Sequence, residues 1–398
     1  MAGTAKADAP LLLRWPRPRA LNYNMATPAR PGVARRSIMN CKWLCLLGIV
    51  AAATGLSAQP PATSQAAATT VAAPQKWLGP ADRNLMTDGM VTMFPLPNPN
   101  SGPTTIALAR DGTVWFTQSA GNWIGRINPD LTNLREFSLP NPNSAPRIIA
   151  LGSDGNMWFS EHAGNRMGRI APDGTISEFP IPTPNSMPRA IALGSDGNIW
   201  FGEFAGGKIG RITTQGVITE FVIPTPDSGP RALAAGPDGN IWFSQFNASK
   251  IGRITPQGQI TEFDLPRPNS GPGDITAGDD GNMWFVELSG RMDNRQPDGN
   301  RVGRITMDGK VTEFPIPSPM GSPINIAVGP DRNVWYTKGG VVGRVTRDGT
   351  ITEFPLPTQA AGATGLTAGS DRQPPTRLTN RLWVAASQGN GIAFLSFK

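Results

Sequence analysis

Residues 190–226 read AIALGSDGNIWFGEFAGGKIGRITTQGVITEFVIPTP, and this stretch decides the fold. A short apolar run, Ala190–Leu193, precedes Asp196-Gly197, a dipeptide suited to the positive φ of a tight turn. Ile199–Phe201 is a second run. Gly206-Gly207 makes a loop, Lys208–Ile212 a third run, Gln215-Gly216 another turn and Val217–Val222 a fourth run. Pro224-Thr225-Pro226 stops it, because proline cannot donate to a ladder. Short β-type runs separated by turn dipeptides predict four antiparallel strands.

The unit recurs. Trp115, Trp158, Trp200, Trp242, Trp284, Trp335 and Trp383 are spaced by 43, 42, 42, 42, 51 and 48 residues. The first six each precede Phe or Tyr. Outer runs of the Ile-Thr-Glu-Phe type end at Phe94, Phe137, Phe179, Phe221, Phe263, Phe314 and Phe354. Four strands per repeat of about 42 residues is the pattern of a propeller blade. The run Val91–Phe94 precedes the first of these tryptophans, and the last tryptophan unit has no such run after it. The expected fold is therefore all-β: a seven-bladed β-propeller of four-stranded antiparallel blades, its N-terminal strand closing the last blade and removing the open edges. After residue 60 no long stretch has helical periodicity. The recurring tryptophans and phenylalanines read as core between blades. The arginines of Gly-Arg-Ile/Val (Arg126, Arg169, Arg211, Arg253, Arg304, Arg344) are expected to pair with the glutamate of Thr-Glu-Phe on the adjacent strand.

Charge separates the two ends of the chain. Of 36 Lys/Arg and 29 Asp/Glu, residues 1–58 hold eight and one, which leaves 28 of each in the body. A neutral body lacks the footprint needed for a phosphate backbone, so nucleic acid is not an expected partner. Lys42, the apolar run Trp43–Leu56 and Ser57-Ala58 read as an export signal, with Met39 as a possible true start. The run is short for a membrane span. The expected organisation is a leader over 1–58, an Ala/Pro/Thr-rich linker over 59–87 and the propeller over 88–398. A monomer exported to the periplasm or medium is expected, with no membrane contact beyond the leader. Cys41 and Cys45 both lie in the leader, so the mature part has neither disulfide nor cysteine-ligated metal.

Gly236-Pro-Asp-Gly-Asn-Ile-Trp-Phe243, Lys250-Ile-Gly-Arg-Ile-Thr255 and Ile260-Thr-Glu-Phe263 resemble the repeats of the virginiamycin B (streptogramin B) lyase family, and the resemblance covers about residues 88–398. It implies metal-assisted elimination that opens the ester ring of a cyclic peptide antibiotic, with magnesium and acid–base histidines and glutamates. The histidine places match Ile324, after Pro323, and Thr364; the glutamate places match Gly362 and about Ser387. The chain's single histidine is His162. Fold alone does not carry the activity over.

The site is expected on the face that carries the Pro-Asn-Ser-Pro and Gly-Asn loops. Arg147, Arg189 and Arg231 each follow a proline in consecutive repeats, and three guanidiniums suit a carboxylate, sulfate or phosphate. The competing reading pairs them with local acids, Glu161 and Glu203. Glu161, Glu203 and Glu287 recur at one place in the repeat; with Asp274 they are candidates for Mg²⁺ or Ca²⁺, or for contact with a ligand. His162 beside Glu161 is the candidate acid or base. An insertion around Ser289–Asn300 falls on the same face. No Gly-x-Ser-x-Gly, Walker, His-Glu-x-x-His or GxGxxG motif occurs. Two functions compete. One is a propeller binding a small anionic molecule, peptide or partner; the other is a metal-dependent C–O lyase on a cyclic depsipeptide, ester or lactone.

Overall fold

The computed structural model describes residues 69–72, 75–77, 86–88, 91–288, 300–318, 321–356, 362–368 and 381–396. All of these belong to one compact unit, Thr63–Lys398. The leader with Met39, Cys41 and Cys45, and insertion residues 289–299, lie outside the described residues.

Seven antiparallel sheets form the ring. The third blade is typical: Pro188–Leu193, Ile199–Glu203, Lys208–Ile212 and Ile218–Val222 pair in chain order from the channel outward. The inner strands of successive blades pack side by side around a central channel. The last blade closes as the sequence predicts, since Gly391–Ser396 pairs with Val91–Pro95 in the register Ile392↔Phe94. Asn390 completes the join. Its Oδ1 accepts from Ser101 N at 3.0 Å and its Nδ2 donates to Asn98 O at 2.8 Å.

The core lies between blades. Trp200 stacks on Phe221 with centroids 5.6 Å apart, and the same pair recurs as Trp242–Phe263 at 5.5 Å. Trp200 then packs against Leu233 and Phe243 of the next blade. The Gly of Gly-Arg-Ile has a steric cause. A Cβ on Gly210 would lie 2.0 Å from Cζ of Phe201, whose ring lies across it. Gly210→Ala should therefore destabilise the fold by about 3 kcal/mol through overpacking, read as a lower midpoint in urea.

The recurring arginines do not pair with the outer-strand glutamates. Opposed residues share a face, and Arg211 faces Thr219 while Gly210 faces Glu220. Arg211 instead lies 5.5 Å from the Trp200 ring centroid, 3.8 Å from Asp196, and donates to Pro256 O of the next blade at 2.9 Å. The glutamates hold the opposite face of the ring together. Glu220 takes Thr183 N at 2.9 Å from the loop leaving blade two, Glu262 takes Thr225 Oγ1 at 3.0 Å, and Glu353 takes Ser318 Oγ at 2.8 Å.

Two short strands lie within the stretch read as linker, and a third runs one residue past its end. Thr69–Ala72 pairs with the outer strand of blade two, Gln75–Trp77 with that of blade one, and Met86–Asp88 with Val91–Pro95. Open outer edges offer unpaired N–H and C=O groups, and an extended segment satisfies them whatever its composition.

Candidate functional site

The arginines reach the channel through a local irregularity. In blade three Pro188 opposes Glu203 and Ala190 opposes Gly202, which leaves Arg189 as the extra residue of a bulge. Arg231 occupies the same bulge between Pro230 and Ala232, and Arg147 falls in the shifted segment after Pro146. Bulges re-aim side chains. The backbone is then pinned: Thr117 Oγ1 donates to Arg147 O at 2.8 Å, and Ser160 Oγ lies 3.4 Å from Arg189 O.

Arg147, Arg189 and Arg231 line one cavity of about 610 Å³ including its open mouth. Its ring continues through Thr104, Ile324 and Thr364, so the positive charge is confined to blades two to four. Ile148, Ile191 and Leu233 supply apolar wall. None of the three arginines forms an ion pair within 4.0 Å among the described residues, so the pairing with Glu161 and Glu203 is not made. Two of them rest on aromatic rings: Arg189 over Phe204 at 5.5 Å and Arg231 over Phe246 at 5.1 Å, the rings themselves 6.5 Å apart. Burial and then the neighbouring charges Arg231 and Arg147 push Arg189 down to about 8. Arg231 is lowered to about 10 by burial and Arg147, with Asp274 pulling it back. Burial lowers Arg147 as well. A guanidinium stays protonated at neutral pH, so these directions report three positive charges held together, with Asp274 offsetting part of the charge on Arg231 alone.

Asp274 shares the cavity but is already engaged. It accepts from Asn325 Nδ2 at 3.0 Å, Ile326 N at 3.1 Å and Ile275 N at 3.0 Å, tying blade five to blade six. A hard divalent cation needs six or more oxygen ligands. Three arginines and one committed carboxylate do not fit it. Among the described residues no group of three or more His, Cys, Asp or Glu stands ready for a metal.

The other carboxylates lie elsewhere. Glu161, Glu203 and Glu287 end the second strands of their blades, are 0% exposed, and do not line the cavity. Each sits beside the outer-strand glutamate of its own blade. Burial, then Glu178, raises Glu161 to about 7; burial, then Glu220, raises Glu203 to about 7; burial, then Glu313, raises Glu287 to about 8. The repeat explains the pairs. At the same register position, opposite the proline that starts the inner strand, blade one has Gln118, blade four Gln245 and blade six Lys338. Gln118 Nε2 donates to Glu136 Oε1 at 2.9 Å. Lys338 Nζ donates to Ser318 Oγ at 2.8 Å, and the side chains of Gln245, Glu161, Glu203 and Glu287 have no hydrogen-bond partner among the described residues, so each of the three carboxyls is buried beside a second carboxyl and favours its protonated form.

His162 is half-buried and does not line the cavity. Its Nδ1 is 3.2 Å from Pro188 O, and burial, then Arg147, hold it below the usual imidazole value. The carboxyl of its neighbour Glu161 is buried within the blade beside Glu178. Gly362 carries a positive φ of 72°, and its O accepts from Ser387 Oγ at 2.9 Å; these two positions form a loop contact. The bulge that presents the arginines had no sequence signal. The neutral character of the glutamate position did: Gln118 and Gln245 stand at the same place in the repeat.

Fold and cavity together define a seven-bladed propeller with a cationic channel mouth. The model of the virginiamycin B lyase family matches residues 81–294 and 226–396, and the chain belongs to that family. The crystal structure of virginiamycin B lyase from Staphylococcus aureus is 36% identical with a TM-score of 0.71, over 77% of this chain and 99% of that one. A catalytically inactive histidine-to-alanine variant of the same enzyme with quinupristin is 37% identical with a TM-score of 0.70, over 77% and 99%. A streptogramin B lyase structure is 34% identical with a TM-score of 0.70, over 77% and 97%. No curated protein matches the chain.

Proposed function

We propose that this chain is an exported anion receptor of the virginiamycin B lyase family, holding a small carboxylate-, sulfate- or phosphate-bearing molecule or peptide in its channel mouth. One observation carries the reading: Arg147, Arg189 and Arg231 converge on one cavity without an ion-pair partner among the described residues. Three desolvated guanidiniums form short, charge-assisted hydrogen bonds with an oxyanion, and the apolar wall accepts the rest of the molecule. Ile324 and Thr364, at the places that the resemblance gives to the family's histidines, hold no group that titrates near neutrality, which supports binding over proton transfer. The export signal at Lys42–Ala58 supports a mature chain starting near Gln59.

Family membership favours the second reading, a C–O lyase on a cyclic depsipeptide, and one experiment separates the two. Thermal unfolding is followed with sulfate, benzoate, Mg²⁺, Ca²⁺ or EDTA, and the protein is incubated with a cyclic depsipeptide. A ligand that binds only the folded state raises the midpoint. A rise with anions, no response to metal or chelator and an intact ring support the receptor. Metal-dependent ring opening overturns it.

A further inference from the structure

We infer that the arginine site is proton-coupled: a bound anion draws a proton onto His162, and affinity for anions rises as pH falls. This rests on the receptor reading above and assigns its regulation.

His162 follows Glu161, the last residue of its blade's second strand, as Phe204 follows Glu203 and Phe246 follows Gln245. In blades three and four that ring lies against a channel arginine. Blade two alone puts a titratable ring there. His162 N donates to Ala145 O at 3.2 Å, and the side chain reaches the next blade, where Nδ1 meets Pro188 O at 3.2 Å. A carbonyl only accepts, so Nδ1 carries the hydrogen and Nε2 is the basic nitrogen. Pro188 directly precedes Arg189, so the imidazole sits at the junction of the blades that carry Arg147 and Arg189.

The charged groups acting on the ring are those two arginines. The acids of its own blade, Glu161 and Glu178, form their own pair, with Arg166 beside them. Without an anion, burial and two positive charges oppose a proton on Nε2. An oxyanion between the arginines offsets that field, and a proton then completes the charge balance. Linkage makes the effect reciprocal: if anion binding favours the proton, the proton favours the anion by the same factor.

The test is calorimetric titration of the full chain with sulfate, which does not titrate between pH 5.5 and 8.5. It is run in buffers of different ionisation enthalpy at one ionic strength. The expected result is proton uptake on binding near neutrality and a Kd about tenfold weaker at pH 8 than at pH 5.5. In His162→Phe, which installs the side chain of the two neighbouring blades, uptake and pH slope vanish whatever the absolute affinity. Binding without uptake, or uptake that persists in His162→Phe, overturns the coupling and leaves the receptor standing. Absence of sulfate binding at every pH overturns both.

Discussion

Raising the pH from 6 to 9 should lower the melting temperature by on the order of 10 °C, and Glu161→Gln, Glu203→Gln and Glu287→Gln together should remove most of that loss. These three carboxyls have folded values of about 7, 7 and 8, above the ordinary glutamate value of 4.5. A raised folded value means that the fold prefers the protonated form. The stabilisation is therefore complete below the unfolded value and is lost as pH rises through 7 to 8. A tenfold difference in proton affinity between the folded and unfolded chain corresponds to about 1.4 kcal/mol, so a pair costs roughly 2 kcal/mol over this span. Three pairs amount to about 6 kcal/mol, and a domain of this size loses about 2 °C per kcal/mol. Gln118 and Gln245 already stand at this position in two other blades, so the variants adopt chemistry the repeat accepts. Thermal melts of both proteins across pH check it. An equal slope in wild type and the triple variant would contradict carboxyls that favour their protonated form in the folded chain.

Arg189→Met should have two opposite effects. Without ligand the protein melts a few degrees higher, because removing the central charge relieves Arg147 and Arg231. With sulfate the variant loses its stabilisation, and Kd weakens roughly 10- to 100-fold, the worth of a charge-assisted hydrogen bond. Arg231→Met should raise the unliganded melting temperature less, because Asp274 already offsets part of its charge. Melting curves with and without sulfate read both signs. A lower unliganded melting temperature in Arg189→Met would mean that the guanidinium is a packing element on Phe204 instead.

Much of this fold was legible because each repeat states it again. The tryptophan spacing, the Asp-Gly turns and the unmatched Val91–Phe94 run gave seven blades and their closure. The arginine row was legible from its position after proline. Pairing details were not. Whether Arg211 meets Glu220 or Asp196 depends on strand register, and a slip of one residue reverses the face. Sequence also grouped Glu161, Glu203 and Glu287 with the channel, because equivalent places in a repeat look equally near it. The ladder instead puts them inside the blade, beside a second glutamate 17 residues on in two cases and 26 in the third, across the loop that carries the insertion. The strands at residues 69–88 were hidden by composition, since edge pairing asks little of the side chains.

The most direct test is calorimetric titration of sulfate into the full chain beside its Arg147→Met, Arg189→Met, Arg231→Met triple variant, with ionic strength fixed by chloride. Saturable one-site binding to the wild type and none to the variant is the expected result. Equal heats in both proteins, or none in the wild type, would contradict an anion site in the channel mouth.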